Sequence, residues 1–278
     1  MKKCDLHIHS IYSDGTCSPK ELAILAKQTD LSAIALTDHN TIDGVELFLA
    51  ECEREGIEGI CGVEISSDYN GKELHIIALN YGKEHFEKIK EFLKIPKLRK
   101  QESNQNLADK LIENGYKIDY EKMKAECKGS LNRVHFAREL INNGYIESIE
   151  QAFSTILSEK YGLYQPPKRF TAFEVIEFIK SINAISVLAH PLLNLSRQEL
   201  LEFLPKAKKS GLDGMETMYS QYSKDDQDFC TRVAKEFGFK QSGGSDFHGE
   251  NKPDIKMGVG LGNLKIPYQL VQNLKFNA

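Results

Sequence analysis

Histidines and carboxylates alternate with apolar residues at both ends of this chain, in Asp5-Leu6-His7-Ile8-His9-Ser10 and in Gly244-Ser245-Asp246-Phe247-His248. In an extended strand successive side chains point to opposite faces, so His7 and His9 project together while Leu6 and Ile8 pack the other way. Asp246 and His248 repeat that geometry. Two imidazoles, or an imidazole and a carboxylate, about 7 Å apart along a strand can converge on ions set between them. The chemistry indicated is metal binding, with donors supplied from opposite ends of the sequence.

Such donors need elements that bring them together. The first 80 residues predict strands at 4–9 and 33–37, helices at 19–28 and 43–55, and strands at 59–65 and 74–80. The last two strands are separated by the polar turn Asp68-Tyr69-Asn70-Gly71-Lys72, whose Asn-Gly pair favours a hairpin or tight connection. Pro19 after Ser18 marks a helix start with serine as N-cap, and Thr41-x-x-Gly44 leads into the second helix. Residues 84–168 read differently: helical, rich in lysine and asparagine, without a convincing strand. After Phe170 the alternation resumes, with helices at 172–182, 199–210 and 224–237 and strands at 184–189, 214–217 and 241–245. Repeating strand–helix units predict an α/β fold with a mainly parallel sheet. About seven repeats suit a closed or nearly closed barrel better than an open sheet, which stays open as the alternative. The barrel is then discontinuous, residues 1–83 and 169–278, with a helical insertion domain at 84–168.

The bulk numbers bound the rest. A chain of 278 residues buries a substantial core without a structural metal. With 41% hydrophobic residues, 27% charged and a formal net charge of −4, nothing points to a long nucleic-acid duplex as partner. The six cysteines have no Cys-x-x-Cys pair and no disulfide-framework spacing, which reads as reduced thiols. The N-terminus lacks the apolar core of a signal peptide, and no apolar run approaches the roughly 18 residues needed to cross a bilayer. A cytoplasmic location without membrane attachment is expected.

In both candidate folds, sites lie at the C-terminal ends of strands, and the candidates have that address. Asp14 follows the first strand, Thr37-Asp38-His39 ends the second, and Gly62-Val63-Glu64 ends the third. Glu73-Leu74-His75 begins the fourth, and Ala189-His190-Pro191 ends a later one. Each has an ordinary reading by itself. Asp14 before Gly15 suits a turn, and Asp38 or His39 suits a helix cap. Glu64 between apolar residues is odder, because a buried carboxylate must find a cation or donor. Independent packing roles do not place this many ligand-type side chains, six of the eight histidines among them, at strand ends and adjoining turns.

These motifs, in this order, resemble those of the PHP (polymerase and histidinol phosphatase) superfamily. His7-Ile8-His9 with Asp14 resembles its first motif, Thr37-Asp38-His39 and Gly62-Val63-Glu64 the second region, Ala189-His190-Pro191 the third, and Ser245-Asp246-Phe247-His248 the fourth. The resemblance implies a distorted seven-stranded α/β barrel and two or three divalent ions, of manganese, iron or zinc. One ion falls to His7, His9, Glu64 and Asp246, a second to Glu64, His75 and His190, and a third to Asp14, His39 and His248, with Glu64 bridging the first two. Asp38 is then a supporting residue. Mixed nitrogen and oxygen donors suit all three metals.

Clustered divalent ions bind phosphoryl oxygens, neutralise charge in an in-line displacement and make activated water available near neutrality. Phosphate ester hydrolysis is therefore the expected reaction, with Glu64, His190 and His248 as the catalytic candidates. An imidazole held by a metal cannot also be a free acid, so the proton donor to the leaving oxygen stays unassigned. Within the insertion, Asn132-Arg133-Val134-His135-Phe136-Ala137-Arg138 places donor groups at a helix start, suited either to grip a phosphate or to cap a solvated helix. This stretch, the chain length and the insertion point before Pro166-Pro167-Lys168 resemble the branch of nucleoside bisphosphate phosphatases and 5′-to-3′ oligonucleotide exonucleases.

That resemblance implies a small phosphorylated nucleotide, such as a 3′,5′-bisphosphate, or the 5′ end of a short oligonucleotide as substrate, with Arg133, His135, Lys168 and Tyr222 as contacts. Tyr222, in Tyr219-Ser220-Gln221-Tyr222-Ser223, departs from the branch, which carries a histidine there. The lysine run from Lys94 to Lys100 reads first as a solvated helix surface, with attraction of an anionic substrate as the alternative. Histidinol phosphate or another small phosphoester is the alternative substrate, and a non-catalytic, metal-stabilised binding module is the alternative role.

Overall fold

The computed structural model describes residues 2–127 and 131–274. The chain forms two compact units, 1–93 with 169–278, and 94–168. In the first unit, strand β1 (Lys3–Ile8) leads to helix α1 (Pro19–Gln28), β2 (Leu31–Leu36), α2 (Val45–Glu55), β3 (Glu58–Tyr69) and β4 (Lys72–Leu79). Helix α3 (Phe86–Glu113) opens the segment that also holds α4 (Tyr120–Glu126), α5 (Arg133–Asn142) and α6 (Ile149–Ser154). The barrel resumes with α7 (Ala172–Ser181), β5 (Ile185–Leu188), α8 (Arg197–Ser210), β6 (Gly214–Tyr219), α9 (Lys224–Phe237), β7 (Lys240–Gly244) and α10 (Gln269–Leu274).

The helix starts follow the residues that favour them. Ser18, Thr171, Ser196 and Ser223 cap α1, α7, α8 and α9, each with an acidic residue three positions on that reaches back to the cap backbone. The reciprocal bonds satisfy amides that have no partner inside the helix.

The seven strands form one sheet in the order β1 to β7. Strands β1 to β3 are parallel, as are β5 to β7, but β4 runs antiparallel to both its neighbours. The cause is local: Asn70 at φ 54° and Gly71 at φ 79° form a two-residue hairpin turn that reverses the chain at once. Beyond β7 the chain turns back along β1, where the Asp246 amide donates to His7 O at 2.8 Å and the His9 amide to Phe247 O at 2.9 Å. These bonds nearly close the barrel. They need glycine at 244, since a Cβ there would stand 2.1 Å from His7 Cβ.

Alternate strand residues feed separate clusters, as a period of two requires. Ile34, Leu36, Ile76 and Ala78 join the large core formed with α1, α2, α7, α8 and α9, whereas Ala33, Ala35, Ile77 and Leu79 pack with Leu264, Ile266, Val271 and Leu274. The 94–168 unit has its own core around Leu107, Leu111, Phe136, Leu140 and Leu157. The expected insertion begins ten residues earlier, at 84, but Phe86, Ile89 and Leu93 bury their apolar face in the barrel core. Among the described residues, no helix is long and apolar enough to cross a membrane.

Candidate metal centre

Short anchors hold each donor in place. His7 lies in β1 and His9 just beyond it, and Asp5, on the same strand, ties that strand to the far end of the chain. Its carboxylate accepts from the Ser245 amide at 2.8 Å, the Ser245 hydroxyl at 2.5 Å and the Gly258 amide at 2.7 Å. Asp38 accepts from the Ser10 amide at 2.7 Å and from the Ser10 and Ser13 hydroxyls at 2.6 Å, fixing the turn that presents Asp14. His39 follows β2 and pairs with Glu64, where the Asn40 amide donates to Glu64 O and the Glu64 amide to Asp38 O. Glu64 is therefore not at the end of its strand, as the sequence suggested. Strand β3 runs on to Tyr69, because its second half is held by the β4 hairpin and by the Asp68 amide donating to Phe170 O.

The antiparallel course of β4 sets its beginning beside the C-terminal ends of the parallel strands, which is how His75 reaches the site. His190 and Asp246 both adopt positive φ, 27° and 57°, a conformation that non-glycine residues hold only where surrounding contacts enforce it.

Around Glu64 the donors converge. Its Oε1 stands 2.8 Å from His75 Nδ1 and 2.9 Å from His190 Nε2, while its Oε2 stands 3.2 Å from His7 Nε2, 3.3 Å from His9 Nε2 and 3.1 Å from His39 Nδ1. Asp246 Oδ1 lies 3.2 Å from His9 Nε2, and the two Nε2 atoms of His7 and His9 are 3.1 Å apart. Asp14 reaches His248 Nε2 at 3.2 Å and His39 Nε2 at 3.8 Å. Four donor groups result: His9, Asp14, His39 and His248; His7, His9 and Asp246; His7, Glu64 and His190; and His39, Glu64 and His75.

These residues fit metal ions on two grounds. Donors bound at 2.0–2.1 Å to a tetrahedral ion stand about 3.3 Å from one another, the spacing seen here. Secondly, among the described residues five buried side-chain atoms make no hydrogen bond: His9 Nδ1, His39 Nδ1, Glu64 Oε2, His190 Nδ1 and His248 Nε2. Leaving buried polar atoms unpaired is costly, and all five belong to donor residues of this centre. His39 Nδ1 and Glu64 Oε2 are close yet not aligned for a hydrogen bond, as expected of atoms aimed at a common point rather than at each other.

The electrostatics of the bare donors are strained accordingly. Burial opposes protonation of His9, but hydrogen bonds to Asp246 and Glu64 lift its pKa to about 9. Burial likewise opposes protonation of His75, yet the charge of Glu64 raises it to about 10. His39 goes the other way, burial driving it down to about 3. Burial disfavours the charged forms of Glu64 and Asp246, but the neighbouring imidazoles hold both well below the usual carboxylate range. A cation could replace the imidazole protons that these carboxylates otherwise stabilise.

All nine residues expected as ligands meet here. The other expected site residues are not among these donors. Arg133 belongs to the 94–168 unit, where its guanidinium lies 4.2 Å from the Tyr164 ring centre and 4.9 Å from that of Phe153. His135 sits three residues after the α5 cap, Asn132, and hydrogen-bonds its side chain, while Lys168 is exposed at that unit's end. Tyr222 is buried, and its hydroxyl accepts from the Leu192 amide at 2.9 Å, supporting the turn after His190.

Several neighbours of the donors escaped sequence reasoning. Glu216 is wholly buried in β6 and touches His7 and the His190 amide. Tyr219 donates to Asp246 Oδ2 at 2.9 Å, as does Lys252 at 2.7 Å. Arg169 holds Glu73 at 2.7 Å, and Glu73 reaches His75 at 3.4 Å. A carboxylate at an inward strand position, as in Gly214-Met215-Glu216, was the one signal for Glu216.

The chain is similar to known proteins over most of its length. A 5′-3′ exoribonuclease of Haemophilus influenzae is 35% identical over 248 residues, covering 89% of this chain and 90% of that protein. A 3′,5′-nucleoside bisphosphate phosphatase of Chromobacterium violaceum is 26% identical, covering 92% of this chain and 91% of that one. In fold, a structure from Bifidobacterium adolescentis assigned as a metal-dependent phosphoesterase superposes with a TM-score of 0.77 at 24% identity, covering 98% of this chain and 95% of that one. Residues 5–164 match the PHP domain itself. With that match and a relative 35% identical over most of both chains, the chain belongs to the PHP domain family.

Proposed function

We propose that this protein is a metal-dependent phosphoesterase that either removes phosphate from a small nucleotide such as a 3′,5′-nucleoside bisphosphate or hydrolyses short oligonucleotides from the 5′ end. The observation that carries the reading is the division of the Glu64 oxygens, Oε1 towards His75 and His190 and Oε2 towards His7, His9 and His39. A carboxylate placed so can be shared by two ions, of manganese, iron or zinc, with Asp14, His39 and His248 holding a third. When bound, such ions stabilise charge on phosphoryl oxygens and lower the pKa of water towards neutrality.

The chain's own residues then have defined tasks. The donor imidazoles fix the centre, and the carboxylates of Glu64, Asp246 and Asp14 offset its positive charge. Lys252, with its side chain 36% exposed, and Arg169, 30% exposed, add cationic groups beside Asp246 and Glu73 that suit an anionic substrate. In the reaction, water adds to phosphorus, the ester P–O bond breaks and the leaving oxygen takes up a proton. The names of the Haemophilus and Chromobacterium relatives support a nucleotide over histidinol phosphate.

The test is direct. The purified chain with manganese is expected to release phosphate from adenosine 3′,5′-bisphosphate and little from histidinol phosphate. The opposite preference would move the assignment to a different substrate, and a metal-loaded chain that neither releases phosphate from these nor cleaves a 5′-phosphorylated dinucleotide to its mononucleotide would refute it.

A further inference from the structure

We infer that Glu216 is a positioning residue that sets two of the imidazoles at once, one by its tautomer and one by its backbone. The carboxylate is fully buried, and its two oxygens have separate tasks. Oε1 stands 2.9 Å from His7 Nδ1, and Oε2 accepts from the His190 amide at 2.7 Å. With a carboxylate oxygen facing it, His7 Nδ1 is the ring nitrogen placed to donate, which sets the tautomer with the proton on Nδ1. That leaves Nε2, the nitrogen 3.2 Å from Glu64 and 3.1 Å from His9, with its lone pair free for an ion. The second bond pins the His190 backbone, which holds a φ of 27°, and the two rings stack with centroids 5.5 Å apart. Glu216 thus reaches from β6 to a residue of β1 and to the residue two positions beyond β5.

The two oxygens make the isosteric variant informative. In Glu216→Gln the amide oxygen can satisfy the His190 amide only if its NH2 group faces His7 Nδ1. That NH2 donates, so Nδ1 must accept and the His7 proton moves to Nε2, blocking the ion-binding nitrogen. The flipped amide sets NH2 against the His190 N–H, two donors 2.7 Å apart in the native geometry. Either arrangement injures the donor groups that use His7 or His190 and spares Asp14, His39 and His248, which Glu216 does not touch.

The inference rests on the reading that these donors hold ions. The experiment compares wild type, Glu216→Gln and Glu216→Asp for zinc affinity, by competition with a chromophoric chelator, and for zinc stoichiometry, by native mass spectrometry, with circular dichroism as the check on folding. The expected result is a folded Glu216→Gln chain that binds at least one ion normally and the others 10–100-fold more weakly, the usual effect of removing a group that orients a ligand. Glu216→Asp, which keeps the charge but pulls it back by one methylene, is expected to weaken the same ions and serves if the amide variant does not fold. Wild-type affinity and stoichiometry in a folded variant overturn the inference alone, as does equal loss of every ion. A wild-type chain that binds no zinc, manganese or iron overturns the inference and the metal reading together.

Discussion

Replacing Glu64 by glutamine keeps the shape of the side chain and removes its charge. The carboxylate is fully buried, with imidazole nitrogens of His7, His9, His39, His75 and His190 all between 2.8 and 3.3 Å away. At an effective dielectric of about 20, a unit charge facing a cation at about 3.2 Å contributes about 5 kcal/mol. Each 1.4 kcal/mol is about tenfold in affinity, so the loss amounts to between three and four powers of ten. The amide dipole recovers part of it, which leaves ion retention about a thousandfold weaker. Turnover is expected to fall by at least the roughly 100- to 1,000-fold seen when one preorganised electrostatic group is removed. The assay is metal per chain by elemental analysis after dialysis, with phosphate release measured on the same samples. A Glu64→Gln chain that retains wild-type metal content and turnover would show that the shared carboxylate is not what assembles this centre.

Three further outcomes are expected. Because His9 and His75 are raised to about 9 and about 10, the metal-free centre holds their protons at neutral pH, and ions must displace them. Titration calorimetry in two buffers of different ionisation enthalpy should therefore report net proton release at pH 7. The same protons stabilise the metal-free fold below the ordinary histidine pKa of about 6.5, and that contribution is lost as pH rises through 9 to 10, so its melting temperature should fall across that window. Gly244→Ala forces a methyl group to 2.1 Å from His7 Cβ, so the β1 edge must move; thermal melting should show a loss of about 1–3 kcal/mol, with lower metal content in the folded fraction. Arg133→Ala removes a guanidinium stacked on Tyr164 and Phe153 and should destabilise the 94–168 unit by about 0.5–2 kcal/mol, measured by denaturant unfolding.

Much of this protein was legible locally. His7-x-His9 and Asp246-x-His248 declare a shared face through the period of two, the serine and threonine caps mark where helices begin, and Asn70-Gly71 marks the hairpin. Each depends on residues a few positions apart, so the amino-acid order alone determines it. The tertiary structure decided the rest. The extension of β3 past Glu64 and the assignment of 84–93 to the barrel depend on which surfaces are buried, and Tyr222 turns inward for the same reason.

Glu216 meets His7 across 209 residues of sequence, and Asp5 meets Ser245 across 240. No local period encodes such pairs, because they arise only when the sheet curls until the segment beyond β7 lies against β1. The sequence determined which residues could hold metal. Closure of the barrel determined that they face one another, and which buried carboxylate holds them there.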